Sequence, residues 1–201
     1  MRTVVSRLLL SLAVVVALGG CTVTVMGVAA PDPAAGQLVA PSVDPVPAGD
    51  RFSDAENRFT IAPPKGWKAD TSGAQGTAVV FLAAAPTRSG DGSFSANINV
   101  LVVPSVADLP SIVLKARQEL RGLTDYVATA DEDAVLFGGT QAHLLGGTFT
   151  DKGSGLKLRN LQLFAVHGGS TTVVTGTAAA QGWEGSASVF DMALRTLTVA
   201  H

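Results

Sequence analysis

Alternating hydrophobic and polar residues mark most of the chain beyond Arg51 as β-structure. Phe59-Thr60-Ile61-Ala62 predicts a short strand, stopped by Pro63-Pro64 and a turn at Gly66, with Trp67 just beyond. Thr77–Ala84 and Phe94–Val103 read as longer strands separated by the polar loop Ser89-Gly90-Asp91-Gly92. Three more follow at Gln141–Thr150, Leu156–His167 and Thr171–Ala178. Their connections, Asp151-Lys152-Gly153-Ser154-Gly155 and Gly168-Gly169, are short and contain glycine, which suits antiparallel hairpins. Weaker strand patterns occur at Tyr126–Ala130 and Val135–Phe137, and together these elements predict an antiparallel meander.

Two segments change the period from 2 to 3.6. Leu109, Ile112, Val113, Ala116 and Leu120 recur at helical spacing, with Asp108 as N-cap, Pro110 in the first turn and Gly122 at the end. Lys115, Glu119 and Arg121 fall elsewhere on its circumference. Trp183, Ala187, Phe190, Leu194 and Leu197 form a second stripe, with Glu184, Ser188, Asp191 and Arg195 on the other side. Apolar residues occupy both faces of the strand around Leu158–Ala165, which predicts an α+β fold with helices covering both faces of the sheet.

The N-terminus decides the expected compartment. Arg2 and Arg7 precede an apolar run from Leu8 to Leu18, and Leu18-Gly19-Gly20-Cys21 follows. That order reads as a secretory signal over residues 1–20 with small residues at its cut. It resembles a bacterial lipobox, which implies a diacylglyceryl group on the Cys21 thiol, cleavage before Cys21 and lipid anchoring at the extracytoplasmic face of the cell membrane. Two acyl chains suffice for stable anchoring. The alternative is an uncleaved transmembrane helix, since no charge appears between Arg7 and Asp32. Gly19, Gly20, Gly27 and the β-branched Thr22-Val23-Thr24-Val25 make a poor helix. Residues 21–50 carry Pro31, Pro33, Pro41, Pro45 and Pro47 and read as a linker, leaving one domain over 51–201.

Composition narrows the function classes. The formal net charge is −2, and removing Arg2 and Arg7 from the 14 Lys and Arg leaves 12 against 16 acidic side chains, near −4. Nucleic acid is not the expected partner, and neither is docking to anionic lipid headgroups by charge. One cysteine rules out an internal disulfide framework and any multi-cysteine metal site.

Catalytic motifs are missing as well. No His-x-x-x-His or His-Glu pair, Gly-x-Ser-x-Gly elbow or phosphate-binding loop occurs. His143 and His167 lie in predicted strands and His201 at the terminus, where single histidines are ordinarily surface or satisfied residues. Asp131-Glu132-Asp133 lacks further calcium ligands at loop spacing and reads as a solvated turn. No metal site and no cofactor are expected. One constellation points to binding: Asn97 and Asn99 share a strand face, as do Asn160 and Gln162, and four amides in one cleft would suit sugar hydroxyls or a peptide backbone. The bland reading is a partly wetted sheet face. Trp67 and Trp183 are either core residues or part-exposed contacts.

Phe59-x-Ile61-x-x-Pro64-x-Gly66-Trp67, one amphipathic helix, glycine-rich hairpins, and Thr175-Gly176-Thr177 leading to Trp183, Phe190-Asp191, Leu194 and Leu197 resemble the actinobacterial LpqN/LpqT lipoproteins. The resemblance covers about Arg51 to the C-terminus. It implies a PsbP/Mog1-like α/β/α sandwich and a non-enzymatic accessory or binding lipoprotein of the cell envelope. It supplies no catalytic residue. Three functions follow as expectations: a tethered module for an envelope lipid or glycolipid with a concave apolar pocket, a protein-interaction module with an exposed apolar patch and no cavity, or a hydrolase using a serine with His143 or His167.

Overall fold

The computed structural model describes residues 50–89 and 92–200. The expected signal segment, Cys21, the linker up to residue 49 and His201 lie outside the described residues. The fold is α+β. Among the described residues twelve strands run in the order β1 (Phe52–Ser53), β2 (Phe59–Ile61), β3 (Lys68–Asp70), β4 (Val79–Leu82), β5 (Thr87–Ser89), β6 (Gly92–Phe94), β7 (Asn97–Pro104), β8 (Val127–Val135), β9 (Gln141–Thr150), β10 (Lys157–His167), β11 (Ser170–Ala179) and β12 (Thr198–Val199). Helix α1 (Leu109–Arg121) follows β7, and α2 (Glu184–Arg195) follows β11. No helix among the described residues is long and apolar enough to cross a membrane.

Seven strands form the main sheet in the order β3-β4-β7-β11-β10-β9-β8, every pair antiparallel. Only β8 to β11 make a true meander. Strand β7 pairs with β11, so the chain must cross the sheet to reach β8 at the far edge, and α1 is the crossing. The helix begins as its caps require, with the Ser111 N–H donating to Asp108 Oδ1 at 3.0 Å, and its C-cap is Gly122.

Residues two apart on a strand share a face, and neighbours point to opposite faces. On one face Val113, Ala116 and Leu120 of α1 pack with Leu145, Phe164 and Val173. The adjacent residues Leu144, Leu163 and Val174 join Phe190, Ala193 and Leu194 of α2 in the largest core cluster. Burying each large aliphatic or aromatic side chain here contributes about 1.5–3 kcal/mol. Close approach requires glycine at Gly176, where a Cβ would collide with the Phe190 ring, and at Gly147, where it would collide with Tyr126.

Two expectations need correction. Phe94–Val103 is interrupted at Ser95-Ala96 into β6 and β7, because Phe94 turns away to cap a separate cluster with Phe149 and Leu158. Asp131-Glu132-Asp133 is the middle of strand β8 rather than a turn, so the two weak patterns around it are one element. Its acids are tolerated because they alternate: Asp131 pairs with Arg117 of α1, and Glu132 with Arg195 of α2.

Candidate functional site

Strand register brings the four predicted amides onto one face. Asn97 opposes Thr177, which opposes Asn160; one step along, Asn99 opposes Thr175, which opposes Gln162. Directly opposed side chains lie on the same side of a sheet, so these are two cross-strand rows. Gln162 also opposes Leu145, which packs beneath α1, and this fixes the rows to the α1 side. Asn97 and Asn99 are half-buried, whereas Asn160 and Gln162 are each 1% exposed. Asn160 Oδ1 accepts the Gly147 N–H at 3.1 Å, but its Nδ2 and Gln162 Oε1 have no partner.

The next row, Leu101 and Val173 with Phe164, runs under the helix. Helix α1 lies on β9 and β10 and stands off from β7. The resulting cleft is lined by Leu101, Val103, Phe164 and Thr171 from the sheet and by Ile112 and Glu119 from the helix. It measures about 430 Å³ counted out into open solvent, but the space that the centre of a water-sized sphere can occupy in it is only about 20 Å³, room for roughly one water. This is a shallow groove, not the concave apolar pocket anticipated beneath the helices. Beside it Val80 and Leu82 of β4 oppose Asn99 and Asn97 and are likewise half-buried. The β4–β7 part of this face is therefore a strip of apolar and amide side chains within reach of solvent.

Two further polar atoms line the groove without partners, Thr171 Oγ1 and Glu119 Oε2. Burial holds the Glu119 carboxyl above the usual range, with Lys115 pulling the other way. Among the described residues five buried side-chain atoms lack a partner, and four of them, on Glu119, Asn160, Gln162 and Thr171, belong to this side of the sheet. Each unmade bond costs about 1–3 kcal/mol, so their clustering marks a surface not optimised for stability.

Beyond the α1 side of β9 lies a charged cluster that sequence spacing did not reveal. Arg117 contacts Asp131 through two bonds, Nε to Oδ2 at 2.8 Å and Nη2 to Oδ1 at 2.6 Å. His143 is 7% exposed and sits between carboxylates, Nδ1 2.7 Å from Asp133 Oδ1 and Nε2 2.8 Å from Asp131 Oδ1. The Asp131 carboxyl is lowered to about 2, chiefly by the Arg117 bond and against partial desolvation, with His143 adding to the effect. Both ring nitrogens of His143 face carboxylates, and among the described residues neither is bonded to a serine hydroxyl. His167 lies half-buried at the end of β10. Among the described residues no group of three metal-ligating side chains is placed to hold an ion.

The two tryptophans sit on the other side of the sheet. Trp183 is 4% exposed and stacks on Phe190 with centroids 5.1 Å apart, while the Arg159 guanidinium carbon lies 4.9 Å from the Trp183 ring centroid. Trp67 meets Phe190 edge-on at 5.9 Å. Both serve the α2 core and neither reaches the amide rows.

No family model and no curated protein matches the sequence. Solved structures do match it. LpqN of Mycobacterium tuberculosis, described as involved in cell envelope biogenesis, aligns at a TM-score of 0.56 and 16% identity, over 71% of this chain and 83% of that one. Cyanobacterial PsbP from Synechocystis aligns at 0.54 and 17%, over 82% and 100%. A Pseudomonas aeruginosa protein of unknown function aligns at 0.51 and 17%, over 75% and 96%. These similarities define the class of fold. The chain has a PsbP/LpqN-like fold.

Proposed function

We propose that this chain is a non-catalytic, lipid-anchored accessory module on the extracytoplasmic face of the cell membrane, related to the actinobacterial LpqN/LpqT lipoproteins, and that it binds an envelope lipid or glycolipid. The single observation carrying the reading is the strip beside α1, where half-exposed Leu82, Val80 and Leu101 alternate with Asn97 and Asn99 and lead to the unpartnered atoms Asn160 Nδ2 and Gln162 Oε1. Apolar surface with convergent amides suits a molecule having both a chain and hydroxyls. The lipobox resemblance at Cys21 and the envelope role stated for LpqN support the location. An α/β/α layering belongs to the same reading; opposite strand parities beneath α1 and α2 support it. Because the groove is shallow, the ligand lies along the sheet rather than inside it.

A form beginning at Arg51, incubated with envelope lipid extract and weighed by native mass spectrometry, is expected to carry lipid. Recovery of empty protein alone argues against lipid binding. The second reading, a protein-interaction module, draws on one end of the sheet. There Phe137 is 74% exposed and Val106 fully exposed. The Ser105 N–H donates to Gly169 O at 2.8 Å, which ties the loop bearing Val106 to the β10–β11 turn. Crosslinking in intact cells that recovers one reproducible protein partner through Phe137 would favour it.

A further inference from the structure

We infer that the groove beside α1 selects an amphiphile whose headgroup is uncharged and bears hydroxyls, against one with a carboxylate head, and that Glu119 is the discriminating residue, a specificity resting on the proposed binding role. Leu101, Val103, Ile112 and Phe164 offer an apolar surface along which an alkyl chain can lie at the open mouth of the groove. Two polar atoms within those walls lack partners, Thr171 Oγ1, on a residue 4% exposed, and Glu119 Oε2. A carboxylate oxygen can only accept, whereas a threonine hydroxyl donates and accepts. A ligand hydroxyl supplies the proton that Glu119 needs and the lone pairs that Thr171 can use, so a headgroup bearing several hydroxyls can answer either atom. A carboxylate head brings no proton, leaves Glu119 Oε2 unpaired and adds a second negative charge beside it.

Lys115 sits one turn earlier on α1 and lines the same groove. Its ammonium offsets part of that repulsion but gives Glu119 Oε2 no bond. An ammonium head would satisfy Glu119 and meet Lys115 instead. Of the three headgroup types, the neutral polyol is the one that meets no like charge.

Photo-crosslinking of the full chain in its own membrane tests this. The probes are n-octyl β-D-glucoside and octanoate, each with a diazirine in the alkyl chain, with labelling normalised to that of bulk membrane lipid. In the unaltered chain the glucoside should label peptides containing Leu101–Val103 or Ile112–Glu119 about tenfold more than octanoate does. Glu119→Gln should bring octanoate to within about threefold of the glucoside, and Thr171→Val should lower glucoside labelling about threefold. Equal labelling of the unaltered chain by both probes overturns the selectivity while leaving the binding role intact. Octanoate labelling unchanged by Glu119→Gln removes Glu119 as the discriminating residue. If neither probe labels these peptides in either form, the binding role falls too.

Discussion

The guanidinium of Arg117 grips the carboxylate of Asp131 at 2.6 and 2.8 Å, so that the crossing helix is pinned to the outermost strand it leads into. This contact has a defined pH signature. Asp131 is lowered from 3.8 to about 2 in the folded chain, so its stabilisation is fully present above the unfolded value and is lost as pH falls through the folded one. With the side chain 45% exposed, screening limits the contribution to about 1 kcal/mol or less. Urea midpoints of the natural chain and Asp131→Asn should differ at pH 5 and converge between pH 4 and 2. A constant difference across that window would assign the effect to packing.

Gly176→Ala places a methyl group against the Phe190 ring and should destabilise the fold by about 1–3 kcal/mol. Phe190→Ala alone empties the centre of the α2 core and should cost about 3–5 kcal/mol. Because the two residues touch, the double variant should be less destabilised than the sum. Additivity in chemical denaturation would mean that the strand and helix separate freely at this point.

The buried amides separate stability from binding. Gln162→Leu removes an acceptor without a partner and should leave stability unchanged or raise it by about 1 kcal/mol, while weakening retention of envelope lipid. Asn160→Leu strands the Gly147 N–H and should cost about 1–3 kcal/mol. Thermal denaturation and lipid recovery on both variants distinguish the roles; a Gln162→Leu protein that retains lipid in full takes that residue out of the site.

Anchoring is tested at Cys21. The mature protein should enter the detergent phase on extraction, lack residues 1–20 and carry a diacylglyceryl mass on Cys21, whereas Cys21→Ser should keep its first twenty residues. An aqueous protein with an unmodified thiol at its new terminus would falsify the lipoprotein assignment.

The hairpins were legible because alternation and glycine turns are local signals: β9 spans Gln141–Thr150, as its pattern predicts, and α1 uses Asp108 and Gly122 as read. The stripe from Trp183 to Leu197 slightly outruns its helix, which ends at Arg195 before Leu197 enters the core. Strands β1, β3 and β12 escaped because two or three residues carry no period. Strand β8 was hidden by three consecutive acids whose partners come from other elements: Arg117 of α1, Arg195 of α2 and His143 of β9. In the site, the spacing of Asn97 with Asn99 and of Asn160 with Gln162 was visible, but their shared face needed the register through β11. Glu119 read as part of the helix circumference outside the apolar stripe, and Thr171 as one more strand threonine. Only the stand-off of α1 from β7 gives them a common surface.

The acids of β8 also bear on life in a crowded layer. Held at a membrane as proposed, many copies would share a thin sheet of space, and a nine-residue margin left unpaired among the described residues would invite them to zip together. Asp133, 74% exposed at its side chain, sets its charge against any identical margin that approaches, whereas the charges of Asp131 and Glu132 are met by Arg117 and Arg195. The opposite margin, β3, is three residues long and bears Lys68. Neither border offers a template for runaway stacking, so neighbours can sit close without fusing.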